Sequence, residues 1–135
     1  MPDVSLGNDD VVALAQGAAF ALAADIAIAR LKPHRRTAVA AFGLVAAAAV
    51  YPLSRRRLGM DTGETVTLAA ACALAATAIR LPARTARRVL GVGWAAHAVY
   101  DAAFTHDATA TRLPKTYAAA CAGADIALGA RLILT

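Results

Sequence analysis

Long apolar runs, separated by short clusters of arginine and lysine, are the feature that most constrains how this chain can fold. Five such runs lie at about residues 11–29, 37–53, 64–81, 88–104 and 116–134. Crossing the hydrocarbon core of a bilayer takes about 20 residues of helix, so each run is long enough, or nearly long enough, to span it. Hydrophobic residues make up 59% of the 135 positions and charged residues 17%, a composition that excludes intrinsic disorder.

Helices are the expected form of these runs, because lipid cannot hydrogen-bond exposed backbone groups and the runs lack the two-residue alternation of barrel strands. No glycine- or serine-rich linker divides the chain. The sequence therefore predicts an all-α fold, a single polytopic transmembrane helical bundle over residues 1–135 with about five spans. Small residues such as Gly17, Gly91, Gly123 and Gly129 permit close helix contacts within this bundle, or between two copies in a homodimer.

The basic residues lie in the loops between the runs, where they contact lipid headgroups, and not on one face suited to nucleic acid. We therefore expect membrane lipids as partners and no nucleic acid. With the N-terminus outside, the cytoplasmic loops carry four and four basic residues, against three and two in the outer loops. The expected location is the cell membrane, multi-pass, with the N-terminus outside and the C-terminus inside.

Ionisable residues inside the apolar runs are the candidates for function, because each costs about 2.5–3.5 kcal/mol at a helix centre unless it is paired or faces water. His97 and Asp101 lie four residues apart on one face of the fourth run, so the aspartate can hold the imidazole. Glu64 begins the third run, and outside-N topology brings it toward the same leaflet. Asp125 lies near the middle of the fifth run, four residues after Cys121.

An acid–base centre is the preferred hypothesis for this cluster. A carboxyl group in an apolar cavity favours its neutral form and can donate a proton, so Glu64 or Asp101 is the expected acid and His97 the expected base. Four neighbouring residues are expected to contact the bound molecule. They are Trp94, Tyr100, Cys121 and Asp125.

Several of these residues together resemble a family of small bacterial multi-span membrane proteins that is known only as a domain of unknown function. The resemblance runs from about Arg30 onward and rests on the following residues: Pro33-His34-Arg35, Glu64, Gly91-Val92-Gly93-Trp94, His97, Asp101, His106, Cys121 and Asp125. Tyr100 replaces an expected Trp, Thr105 an expected His, and Gly63 an aromatic residue. The resemblance implies a membrane location and this choice of residues, and it implies no activity.

The sequence leaves the function open among several classes. The first is an acid–base site that acts on or binds a lipophilic small molecule, such as an isoprenoid or lipid. The second is a proton or ion conduit or small transporter, with Asp125 and Asp25 as steps of the path. The third is a structural membrane protein whose polar residues clamp helices together. Glu64, His97, Asp101 and His106 also offer ligands for a divalent metal, although no metal motif is present.

Overall fold

The computed structural model describes residues 7–56, 61–104 and 111–135, and it confirms the all-α prediction. The five helices are α1 (Asn8–Ile28), α2 (Pro33–Leu53), α3 (Thr62–Ala78), α4 (Ala83–Phe104) and α5 (Tyr117–Leu134). Across the described ranges, the only strand-like pairing is an isolated bridge between Arg55 and Thr111. Each predicted apolar run corresponds to one helix. The largest difference is at α4, which begins five positions earlier than residue 88 and so includes an arginine cluster.

Local sequence explains where the helices begin. Pro33 occupies the first turn of α2, where its missing N–H and its fixed φ are compatible with the helix. Asp61 caps α3, since its side chain accepts a hydrogen bond from the backbone N–H of Glu64 at 3.2 Å. Short connections make α2 and α3, α3 and α4, and α4 and α5 neighbours, whereas the main packing partner of α1 is α5 and not α2, the next helix in the chain.

Helix α5 lies between α1 and α4, while α2, α3 and α4 pack against one another. At one end of the bundle, Asp25 near the end of α1 contacts Arg36 of α2 and Arg131 of α5. We call this the basic end. Tyr51 near the end of α2 and Asp101 near the end of α4 meet toward the opposite end. The helices therefore alternate in direction along the chain.

Glycines bring the backbones of two helix pairs together. A Cβ atom on Gly17 of α1 would overlap the carbonyl oxygen of Ala120, and one on Gly123 of α5 would overlap that of Leu14. On the other side of α5, a Cβ on Gly129 would lie 2.9 Å from the carbonyl oxygen of Gly91 in α4. The close contacts that the small residues predict are thus found on both faces of α5.

Three helices among the described residues are long and apolar enough to cross a membrane, namely α1, α2 and α5. Helix α3 has 17 residues, and α4 carries Arg84, Arg87 and Arg88 in its first two turns. A membrane protein with three candidate spans is therefore supported by length and composition. The assignment of α3 and α4 as further spans remains a prediction.

Candidate functional site

The imidazole of His97 lies between two aspartates in the interior of the bundle. Its Nδ1 atom is 2.6 Å from Oδ2 of Asp125 and 3.6 Å from Oδ2 of Asp101. All three residues are buried, with exposed fractions of 4%, 3% and 0% for His97, Asp125 and Asp101. The predicted neighbours on α4 are therefore close, but the nearer partner of His97 comes from α5.

The register between α4 and α5 explains why Asp125 reaches His97. The two helices are antiparallel, and their backbones come close together where Gly91 meets Gly129. Asp125 precedes Gly129 by one helical turn, so it faces the part of α4 that follows Gly91, where His97 lies. With a larger residue at either glycine, the backbones would separate and the hydrogen bond would lengthen.

Tyr51 is a site residue that the sequence analysis missed. Its hydroxyl group donates a hydrogen bond to Oδ1 of Asp101 at 2.7 Å. Its ring packs edge-on against Tyr100 at 5.6 Å and Tyr117 at 6.2 Å between ring centroids. The chain has only 3 tyrosines, and all of them meet beside His97. The one sequence feature that could have identified Tyr51 as a site residue is its position before a proline near the end of an apolar run.

Two buried polar atoms of this cluster lack a hydrogen-bond partner within the described ranges. They are Nε2 of His97 and Oδ2 of Asp101. Buried polar groups are nearly always hydrogen-bonded, and exceptions are often explained by a catalytic role or by a bound water or ion. The ligand atoms of His97, Asp101 and Asp125 lie within 4.8 Å of one another, so this group could hold a metal ion.

A cavity of about 200 Å³ lies beside His97, between α2, α3 and α4. Its walls are mainly apolar and include Leu44, Ala70 and Leu74, while His97 and Tyr100 provide polar groups. Ala70 is exposed on the surface of α3, so the cavity opens to the side of the bundle. The arrangement is an apolar recess with an imidazole in its wall.

Glu64 lies in a different set of contacts from the one that the sequence predicted. Its Oε2 atom accepts a hydrogen bond from Nε of Arg55 at 2.6 Å, and Asp61 contacts the same guanidinium group at 3.7 Å. The hydrogen bond with Glu64 raises the pKa of Arg55 above its ordinary value. Glu64 is therefore held by Arg55, and it does not belong to the group formed by His97 and the two aspartates.

The remaining predicted site residues are more dispersed. Trp94 is buried between α2 and α4, where its Nε1 donates a hydrogen bond to the carbonyl oxygen of Ala40 at 3.2 Å. Cys121 is half-buried on α5, one turn before Asp125. Tyr100 lines the cavity. His106, which the sequence offers as a possible metal ligand, lies outside the described residues.

Asp25 forms a second buried polar contact, at the basic end. It is 3% exposed, and its carboxylate accepts a hydrogen bond from Nε of Arg131 at 3.0 Å. Arg36 lies 3.6 Å from its other oxygen. This ion-paired group links α1, α2 and α5, which gives Asp25 a structural explanation.

The sequence matches no protein-family model, and no curated protein or solved structure shows a match to it.

Proposed function

We propose that this protein is a multi-pass integral membrane protein in which His97, Asp101 and Asp125 form an acid–base site for a lipophilic small molecule. The molecule would be isoprenoid or lipid-like and would occupy the cavity between α2, α3 and α4. The observation that carries the proposal is that His97 lines this apolar cavity while its Nδ1 atom is hydrogen-bonded to Asp125. A supported imidazole beside an apolar recess is suited to proton transfer on an apolar ligand.

The exposed surface of the helices supports the membrane location. Phe20 of α1 and Phe42 of α2 expose 75% and 76% of their surface, and Val99 of α4 exposes 70%. Only 17% of the apolar 18-residue stretch of α1 is buried inside the bundle. Such surfaces favour lipid as the surrounding medium. The cavity then opens toward acyl chains, and the basic loops favour the orientation with the N-terminus outside.

The contacts of His97 suggest the role of each group. In the tautomer in which Nδ1 carries the proton, its N–H donates a hydrogen bond to Asp125, and the lone pair is on Nε2, the atom with no partner within the described ranges. Nε2 then takes a proton from the ligand, and the two aspartates stabilise the resulting imidazolium. Asp101 is itself held by the hydroxyl group of Tyr51. Tyr51 is therefore a positioning residue.

Two observations favour this site over a conduit or a simple clamp. A path from Asp125 to the basic end would pass the crossing of Gly91 and Gly129, where close backbone contact leaves little room for water. If the polar residues only held helices together, their side chains would all be hydrogen-bonded to one another and no cavity would lie beside them. Here His97 has an unpartnered nitrogen within the described ranges and adjoins a cavity of about 200 Å³.

Filling the cavity tests the proposal. Ala70→Phe places a ring at the exposed mouth of the cavity, and we expect protein purified from native membranes to lose a co-purifying lipophilic molecule, detected by mass spectrometry of solvent extracts. Ala69→Phe is the matched control, because Ala69 is also exposed on α3 and does not line the cavity. Equal ligand content in wild type and both variants, or no bound molecule in any of them, would contradict the proposal.

A divalent metal ion bound by the same cluster is the second candidate. It is favoured by the unpartnered Oδ2 atom of Asp101, which is 0% exposed. Two carboxylates and a neutral imidazole carry two negative charges, which a divalent cation would neutralise. Nitrogen and carboxylate ligands suit zinc or a similar ion. In this case His97 would bind the metal ion through Nδ1, and the imidazole would serve as a metal ligand and not as a base.

Asp101→Asn tests the metal hypothesis. Asparagine keeps an oxygen that accepts the hydrogen bond from Tyr51, so we expect a folded protein whose zinc content falls roughly tenfold or more. Metal content is measured by elemental mass spectrometry on untagged protein after zinc loading and washing. Glu64→Gln serves as the control, because Glu64 lies outside the cluster. Wild-type protein that retains no zinc, or equal zinc in Asp101→Asn, would exclude this candidate.

A further inference from the structure

Three arginines lie on one face of α4 where the helix begins. Arg84, Arg87 and Arg88 have the i, i+3, i+4 spacing that places side chains next to one another on a helix. Together with the last turn of α5, they line a small groove of about 50 Å³. We call this the arginine groove. It lies toward the basic end of the bundle, away from His97.

Within the described ranges, these arginines lack the acidic partners that Arg36, Arg55 and Arg131 have. Arg36 and Arg131 share Asp25, and Arg55 pairs with Glu64. In the part of the chain that the structure describes, no ion pair involves the three guanidinium groups of the arginine groove. Like charges at this spacing repel one another, so an anion bound between them would be favoured.

Apolar side chains adjoin the same groove. Leu134 is 83% exposed and Ile133 is 42% exposed, and both belong to the turn of α5 that faces the arginines. A ligand at this place would contact guanidinium groups on one side and apolar surface on the other. That combination matches an amphiphile with an anionic head.

We propose that the arginine groove binds the phosphate headgroup of an anionic membrane lipid, with an acyl chain lying along Ile133 and Leu134. Guanidinium groups bind phosphate oxygens through paired hydrogen bonds. The groove also lies at the start of α4, where the positive end of the helix dipole favours an anion. This inference rests on the membrane location proposed above, but the groove uses none of the residues of the His97 site, so the loss of lipid binding here and the loss of the ligand at His97 are distinguishable.

The test compares two variants of equal charge. Arg84→Gln/Arg87→Gln/Arg88→Gln removes the guanidinium groups of the groove, and a control with three substitutions in the connection from α1 to α2 and the first turn of α2 removes the same charge near the same end. The control is Arg30→Gln/Lys32→Gln/Arg35→Gln. Binding of phosphatidylglycerol and phosphatidylcholine to the detergent-solubilised full chain is measured by native mass spectrometry, with inorganic phosphate as a competitor.

The expected result is that the groove variant binds phosphatidylglycerol about a hundredfold more weakly, from a loss of about 1 kcal/mol per arginine. The control should change less than about threefold, since exposed charges away from the groove add little to binding of one lipid. If the triple variant does not fold, Arg84→Gln/Arg88→Gln changes only exposed residues and should weaken binding about tenfold or more. Equal losses in groove and control variants, equal binding of both lipids by wild type, or full competition by millimolar phosphate would overturn the proposal.

Discussion

Replacing His97 with leucine is expected to lower the free energy of unfolding of the bundle by about 3–5 kcal/mol. The substitution removes the group that lies between the carboxylates of Asp101 and Asp125, at 3.6 Å and 2.6 Å. Both aspartates are almost fully buried, so water cannot replace the imidazole. The free energy of unfolding, measured by denaturing-detergent titration in mixed micelles, checks this expectation.

A double variant separates stability from function. In His97→Leu/Asp125→Leu both members of the 2.6 Å pair become apolar, and such replacements of buried ion pairs are often neutral or stabilising. We expect most of the lost stability to return, while the co-purifying molecule stays absent. His34→Leu, at an exposed histidine, is the control and should change the free energy of unfolding by less than about 0.5 kcal/mol. A His97→Leu protein as stable as wild type would show that the imidazole does not hold the carboxylates.

Gly123→Leu is expected to separate α1 from α5 and to lower the free energy of unfolding by about 3 kcal/mol. A Cβ atom at this position would overlap the carbonyl oxygen of Leu14, which is backbone and cannot move aside as a flexible side chain can. The same crossing includes Gly17 against Ala120, so the helices cannot shift locally to make room. The measurement is again denaturing-detergent titration.

The control for Gly123→Leu is Ala130→Leu on the same helix. Ala130 is exposed, so its added side chain meets surrounding lipid or detergent and should leave the free energy of unfolding within about 0.5 kcal/mol of wild type. Glycine to leucine also raises helix propensity by about 0.8–1 kcal/mol, which opposes the expected loss. A net gain in stability would therefore mean that the helices do not touch at this point.

Much of the fold follows from local sequence. Apolar run length predicts each helix, and Pro33 and Asp61 mark the first turns of α2 and α3. The predicted start of α4 was less accurate, because a cluster of arginines has the low hydropathy that is typical of a loop. In the structure they lie on a helix whose first two turns carry the charge, so composition alone placed the boundary too late.

The site was predictable where it depends on one helix. His97 and Asp101 are neighbours through the four-residue spacing of α4, which the sequence displays directly. The bond between His97 and Asp125 depends on the register of α4 against α5, and Tyr51 reaches Asp101 from 50 positions earlier in the chain. Neither contact is visible in a hydropathy pattern, because each depends on how one helix packs against another. The hydrogen bond between Arg55 and Glu64, nine positions apart, was not predicted either, because a hydropathy pattern does not display contacts between side chains in loops and helix ends.

The position of α1 has a consequence for the order of assembly. Its main packing partner is α5, and Asp25 joins Arg131 across 106 positions of the chain. A ribosome therefore completes α1 well before the helix that receives it exists. Until α5 has been made, the face of α1 that bears Gly17 lacks its main packing partner, so the packing of α1 follows the synthesis of α2, α3 and α4.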